Sequence, residues 1–548
     1  MSDTRVTAAP APNTSTSQER NPWLVLAVLA GAIFMLLLDT TIVNVAQVKI
    51  REGLDADISE IQWILDSYLL AFAVLLLTFG RLGDVFGRKR LFIGGMALFT
   101  LASALCAASG WIGDMTGLGG ANSLIAFRAL QGVGGAFMMP QTLSLITVVF
   151  PPERRGAAMG IWGGITALGA VFGPIIGGLI VTSYDWEWVF LINVPVGIAG
   201  IVAAAMIVPE SRDPEATTKL DWGGIVLSGA GIFAIVFALI EGNHYGWTSP
   251  LILGLLGVGA VLMSAFVWWE LRQRDPMMKV ELFKLRNFWA GNTITGIMAF
   301  GMFGIFFPIT IFLQAILGYT PIRAGLALVP MAFTIMLVAP SAGRLSDRIG
   351  SRWLLVVGLS TAASGVFFLT TRISLDTTVW DLMPALCVTG LGMGMTFPPM
   401  TNATMKEVPP RISGSASGIL NTVRNIGQIL GIAILGSALQ SWAGSYTEEE
   451  LASVQVDPAL KARIAELAGE GRTDVIPTVV PPDQAPAVMG AVSQAFVDAM
   501  QNTFYISMTV ILVAAVTALL IRNVIVTGTE IERAEAPRGD SIPQPIGK

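Results

Sequence analysis

Of the 548 residues, 53% are hydrophobic and only 13% charged, where a soluble protein carries about 25% charged residues. The chain is therefore a polytopic membrane protein, and its net charge of −5 says nothing of nucleic acid, because the basic residues sit in short loops and form no long tract. A single histidine, His244, and two cysteines, Cys106 and Cys387, in separate apolar runs without a CxxC pair leave nothing from which to build a metal site, a disulfide framework or a histidine-based catalytic centre.

Residues 1–21 are rich in Ser, Thr, Ala and Pro, and no small-residue cleavage site follows the first apolar run. This reads as a cytoplasmic tail before a retained first helix. Apolar runs of roughly 20 residues predict fourteen spans, near 23–46, 61–80, 91–109, 122–143, 157–182, 188–208, 222–241, 250–271, 287–314, 323–342, 353–371, 382–404, 413–438 and 500–522. With the N-terminus inside, 24 of the 33 basic residues fall on cytoplasmic segments and 7 on outer loops. The positive-inside rule then places both termini in the cytoplasm.

Between the second and third spans stands Gly80 to Arg90, GRLGDVFGRKR, and after the tenth a weaker copy, Gly343 to Arg352, GRLSDRIGSR. A loop repeated at the same place in two sets of spans implies two related halves. The expected division is a tail at 1–21, a six-helix bundle at 22–210, two inserted helices at 211–286, a second bundle at 287–522 and a tail at 523–548. Within the second bundle, 439–499 forms a long outer segment with a polar helical stretch, Pro458 to Glu470, and a Pro-rich piece, Ile476 to Pro486, read as a solvated cap or flexible loop. The glycine-rich basic loop is no phosphate cradle, because no strand precedes it and no GK[ST] follows. A cytoplasmic gating latch suits it better, with Gly80 and Gly87 framing it. Asp84 can cap a neighbouring helix while Arg88 and Lys89 meet acids or helix C-termini. Asp347 and Arg348 are the counterparts in the second copy.

Chemistry inside the membrane falls to a few charges. Arg128 lies within the fourth span, where an unpaired guanidinium costs about 2.5–3.5 kcal/mol, so it needs a carboxylate, carbonyl or water. Gly132 and Gly135 share its face and leave room beside it. The candidate carboxylates are Asp39 in the first span and Asp66 in the second, whose roles sequence alone leaves interchangeable. Burial raises such a carboxyl's pKa and an arginine lowers it, which suits a proton-coupling site. Trp63 shares a face with Asp66 and would lay an aromatic plane beside a negative charge, an arrangement for an organic cation; an interfacial anchor is the other reading.

In the fifth span Gly169, Gly173 and Gly177 recur every fourth residue, so a helix can approach on that face, and Pro174 adds a bend. The second bundle has no deep acid, since Asp381, Glu407 and Asp498 lie near span ends. Its intramembrane cation is Arg424, free to pair across the bundle or with a helix C-terminus. Met298, Met302 and Phe306 share a face that suits an adaptable pocket or, more commonly, a lipid-facing stripe.

Taken with the first loop, the runs Leu38 to Ala46 (LDTTIVNVA), Ile125 to Pro140 (IAFRALQGVGGAFMMP), Gly160 to Gly178 (GIWGGITALGAVFGPIIGG), 186–197 (WEWVFLINVPVG), 313–330 and 417–431 resemble the major facilitator superfamily. The particular likeness is to its fourteen-helix drug:proton antiporters of the EmrB/QacA type. That resemblance implies two six-helix bundles plus two inserted helices, and a monomeric, cofactor-free, multi-pass carrier in a bacterial cytoplasmic membrane, driven by the proton motive force. It ties Arg128 to proton coupling and WILDSY around Asp66 to cation recognition. Gly173, Pro174, Gly177 and Gly178, with Gly160, look like the antiporter signature that favours export. The expected partners are protons, membrane lipid and an amphipathic, cationic drug or dye. Export of a lipid, peptide or endogenous antibiotic, proton-coupled uptake, or a non-transporting receptor are the alternatives, and an enzyme is least supported. Gln47-Val48 and Trp186-Glu187-Trp188 depart from the family pattern near the outer face.

Overall fold

The computed structural model describes residues 21–56, 58–213, 220–273, 276–454, 456–469 and 475–523. Apart from Asn21 and Asn523, the two expected tails lie outside them. Long helices carry the chain: α1 Pro22–Leu54, α2 Ile58–Phe86, α3 Arg88–Ala107, α4 Gly120–Val149, α5 Pro152–Ser183, α6 Asn193–Ile207, α7 Trp222–Tyr245, α8 Pro250–Glu270, α9 Arg286–Ile311, α10 Pro321–Ile349, α11 Arg352–Arg372, α12 Val379–Met405, α13 Ser413–Glu450 and α14 Ala485–Ala518. A helix satisfies every backbone group within itself, as a water-free medium demands. Thirteen helices among the described residues are long and apolar enough to cross a membrane. The one expected span not among them, 382–404, is α12, whose Thr, Gly, Asn and three prolines, Pro384, Pro398 and Pro399, dilute its apolar character without preventing a 27-residue helix.

The two halves pack in the same pattern. In the first, α1 lies on α5, α2 on α4, and α3 on α4 and α6; in the second, α9 lies on α13, α10 on α12, and α11 on α12 and α14. The inserted pair α7 and α8 packs on itself, with α7 against α2 and α13. The halves meet along two seams, α5 with α10 and α2 with α13.

Helix–helix approach in hydrocarbon depends on small residues, since lipid tails are as apolar as leucine. On α5 the glycines serve two faces. A Cβ at Gly169 would press on Leu37 and Phe34 and one at Gly177 on Ile42, while Gly173 backs onto Thr41, so all three face α1. Gly160 faces Ala339 and Pro340, and Gly178 faces Ile322, both on α10. Gly132 and Gly135 do not leave space beside Arg128; they seat α4 against Tyr68, Ala71 and Phe72 of α2 and Leu36 of α1.

Residues 439–499, expected as a solvated cap or flexible loop, are helical over much of their described length. α13 continues to Glu450 and α14 begins at Ala485, so both helices run well past the apolar runs. Between them the helix Pro458–Gly469 packs back on α13, where Gly444 meets Ala465 and Gly469. Leu451, Ile464, Leu467, Ile476, Val488 and Val492 are buried together. The described part is a folded helical cap with its own apolar core. Its polar outer face, typified by Glu448, Glu449 and Glu450, is what ends the hydropathy signal early.

Candidate functional site

Asp39 and Arg128 meet inside the first half. Arg128 Nη1 donates to Asp39 Oδ2 at 2.7 Å, and the two side chains are 1% and 0% exposed. Five helices build the surroundings. Gln131, one turn after Arg128 on α4, donates Nε2 to Asp39 Oδ1 at 2.8 Å and accepts from Arg128 Nη1 at 2.6 Å. Asn193, the first residue of α6, donates to Asp39 Oδ1 at 2.7 Å and to Ser103 Oγ of α3 at 3.1 Å. From α2 come the Ile64 carbonyl, which accepts Arg128 Nε at 3.2 Å, and the Tyr68 ring, 4.3 Å from the guanidinium. Each charge is matched by several partners, which is what keeps a buried pair from being a net liability. Gln131, Asn193, Ser103 and Tyr68 were not singled out in the sequence. The signal for Gln131 was its spacing of three from Arg128, and for Asn193 its place in the family-like run FLINVPVG.

Asp66 and Trp63 lie elsewhere. They face the inserted helix α7, where the Trp63 ring is 5.8 Å from that of Phe237 and Asp66 is near enough to Glu241 for their charges to repel. The structure thus separates two acids that sequence leaves interchangeable: Asp39 is paired with the arginine, and Asp66 lies on the α2–α7 seam. The His244 side chain lies outside the described residues.

Two clamps tie the halves at the end carrying the basic loops. Asp84, fully buried at the end of α2, accepts from the backbone N–H groups of Gly414 at 2.9 Å and Ser415 at 2.8 Å, which open α13. A carboxylate on a helix N-terminus satisfies orphan donors and the dipole together. Arg88 donates to Asp84 at 2.7 Å and to the carbonyls of Pro410 at 2.7 Å and Arg411 at 2.8 Å across the seam. Gly80 is in close backbone contact with Gly414 and Gly418, and Gly87, at φ 110°, turns the chain beneath Glu210. Lys89 Nζ reaches the Ala205 carbonyl near the C-terminus of α6 at 2.6 Å. The related half repeats the device in reverse, since Asp347 at the end of α10 accepts the Gly156 N–H at the start of α5 at 3.2 Å and the Asn402 amide at 2.9 Å. Arg348 is exposed beside it. Just past α12, burial pulls the Lys406 ammonium below the usual lysine range against the opposing charges of Asp347 and Glu153. Burial also raises the Glu407 carboxyl, against Arg522.

Between the halves is a cavity of about 10 Å³, room for roughly one water, walled by α4, α5, α9, α12 and α13. Arg424 lines it, donating to Asn421 Oδ1 at 2.8 Å and lying 5.7 Å from the Trp162 ring. Met302 and Phe306 line a second small cavity within the second half. Met298 and Met302 are 3% and 2% exposed in the apolar core, so their stripe is a core face and not a lipid-facing one, because α9 packs between α13 and α14.

Paired helical halves, a buried ion pair within one of them and interlocking clamps between them define a multi-span membrane carrier built from two related halves. The chain belongs to the Major Facilitator Superfamily, which it matches over residues 29–432. It is 33% identical to the tetracenomycin C resistance and export protein of Streptomyces glaucescens over 505 residues, 92% of each chain. It is 32% identical to the multidrug resistance protein Stp of Mycobacterium tuberculosis, strain CDC 1551 / Oshkosh, covering 82% of this chain and 81% of that one. A probable actinorhodin transporter of Streptomyces coelicolor is 37% identical, covering 82% and 77%. The proton:xylose symporter XylE shares the fold with a TM-score of 0.55 at 14% identity, covering 84% of this chain and 96% of that one. The likeness to drug-exporting relatives expected from the sequence is thus found, and the fold is the expected all-α membrane architecture.

Proposed function

We propose that this protein is a proton-coupled exporter of amphipathic small molecules that works by alternating access in a bacterial cytoplasmic membrane, as a monomer and without a cofactor. The observation that carries the reading is the sealed Asp39–Arg128 pair with its Gln131 and Asn193 partners. A proton arriving at Asp39 neutralises one member of a desolvated pair and leaves Arg128 to its neutral partners, so proton binding and helix packing cannot be independent. The network touches α1, α2, α3, α4 and α6, so its rearrangement reaches both seams through α2 and through α5, which packs on α1.

The clamps at the basic face are the gate. With the basic face cytoplasmic, they hold the inner side shut in the described state, and substrate enters when they part. The resemblance to resistance exporters supports export over uptake, and the intramembrane charges argue against a non-transporting receptor. A cationic substrate rests on Asp66 and Trp63, which are not among the residues lining the central cavity. In inside-out vesicles carrying a pH-sensitive dye and an established gradient, an exported compound should collapse the gradient with the native protein and not with Asp39→Asn. Equal collapse by both proteins rules out this coupling scheme.

A further inference from the structure

The central cavity joins contributions from both halves. Trp162 and Met159 come from α5, whereas Phe397 and Met400 come from α12 and Arg424 from α13. Among the described residues lining it, Arg424 carries the only charge. None of the ion pairs among the described residues includes it. Its contacts are a neutral amide oxygen, Asn421 Oδ1, and the Trp162 ring. Trp162 is itself 4% exposed, and its indole N–H has no hydrogen-bond partner. A guanidinium and an indole N–H are donors only. The wall therefore offers a positive charge and two kinds of donor against a largely apolar, aromatic and methionine lining that also holds Thr295 and Thr401, with no carboxylate to receive a cation. The acids that would serve a cation, Asp66 of α2 and Glu241 of α7, lie on the α2–α7 seam instead.

We propose that the exported compounds are acidic aromatics, in which a flat apolar ring system carries a carboxylate or phenolate, held between Arg424 and the Trp162 N–H. This rests on the exporter reading above and replaces the cation expected from sequence. The rings lie among Trp162, Phe397, Met159 and Met400, whose polarisable and adaptable side chains tolerate varied shapes. Because Trp162 and Arg424 belong to opposite halves and the cavity between them holds about one water, a ligand bridging them binds a more parted state better than the described one. Such differential affinity is what a ligand needs to drive a conformational change. The described cavity is water-sized, so the site enlarges as the halves move apart to admit its cargo.

The test uses the purified full-length protein in detergent and three probes that share one ring system: anthraquinone-2-carboxylate, its carboxamide and a trimethylammonium analogue. Titration calorimetry should rank the carboxylate first, tighter than the carboxamide by about 10- to 100-fold for one charge-assisted contact, with the ammonium weakest. Arg424→Gln should erase the preference, weakening the carboxylate far more than the carboxamide. Arg424→Lys should keep part of it, because an ammonium retains the charge without the planar fork. The proposal is overturned if the ammonium binds as tightly as the carboxylate, if the carboxylate does not bind, or if Arg424→Gln weakens all three probes equally. Should Arg424→Gln not fold, the ranking by the native protein decides alone. No gradient is present, so failure here leaves proton-driven export standing, and failure of the vesicle assay leaves the ranking standing.

Discussion

Asp84→Asn separates the gate from the rest of the molecule. The native carboxylate accepts two N–H groups from the other half, Gly414 at 2.9 Å and Ser415 at 2.8 Å, and one guanidinium from its own, Arg88 at 2.7 Å. Asparagine has one acceptor oxygen and turns an NH2 group toward a donor, so at least one bond across the seam is lost. A hydrogen bond to a charged group contributes about 1.5–3 kcal/mol. The damage to the Arg88 pair lies within one half and largely cancels between the two states, but the lost cross-seam bond does not. The ratio of parted to closed basic face should rise by about 10- to 150-fold. Spin labels at Arg90 and Ile349, exposed on either half at that face, read the ratio as a longer-distance population in pulsed dipolar spectroscopy. Asp347→Asn, which holds one longer cross-seam bond of 3.2 Å, should shift it less. A distance distribution in Asp84→Asn identical to the native one would refute the reasoning.

Arg128→Ala strands the Asp39 carboxylate in a site that is 0% exposed, and breaking a buried pair costs about 3–5 kcal/mol. Thermal unfolding in detergent should show a marked loss, which Arg128→Ala combined with Asp39→Asn partly restores. Gly173 has Thr41 against it, whereas Gly31 has open space on its Cβ side. Gly173→Ala should therefore destabilise by about 1–3 kcal/mol through overpacking, and Gly31→Ala should be neutral or slightly stabilising. Burial raises the folded-state pKa of Glu407, so the folded form holds that proton more tightly than the unfolded chain. Its contribution is present below the unfolded value of about 4.3 and is lost as pH rises through the folded one. Glu407→Gln should flatten the fall in melting temperature over that window, and a slope unchanged from native would count against it.

Much of this architecture is written locally. The doubled loop GRLGDVFGRKR and GRLSDRIGSR announces two halves, and the four-residue glycine spacing on α5 marks a helix-contact face, though not that α1 fills it. Arg128 demands a partner by its cost in hydrocarbon, and sequence narrows the choice to Asp39 and Asp66. The choice between them is tertiary, because only the packing of α1 on α5 and of α2 on α7 turns one acid toward the arginine and the other toward the inserted pair. Neutral partners are harder to read, since Gln131, Asn193 and Ser103 look like any polar residue in a helix until the network assembles around a charge. Arg424 was visible as an intramembrane cation, but its place on the central cavity needs both halves. Hydropathy ends α13 and α14 too early, because both continue as helices beyond their apolar runs into the cap at 439–499.

The central claim is that Asp39 is the group whose proton is exchanged for cargo. It is tested most directly by adding a transported compound to the purified protein in weakly buffered detergent solution and measuring the protons exchanged with the solution. The native protein and Asp66→Asn should exchange protons on binding, and Asp39→Asn should bind with no exchange. Proton exchange undiminished in Asp39→Asn would contradict the account.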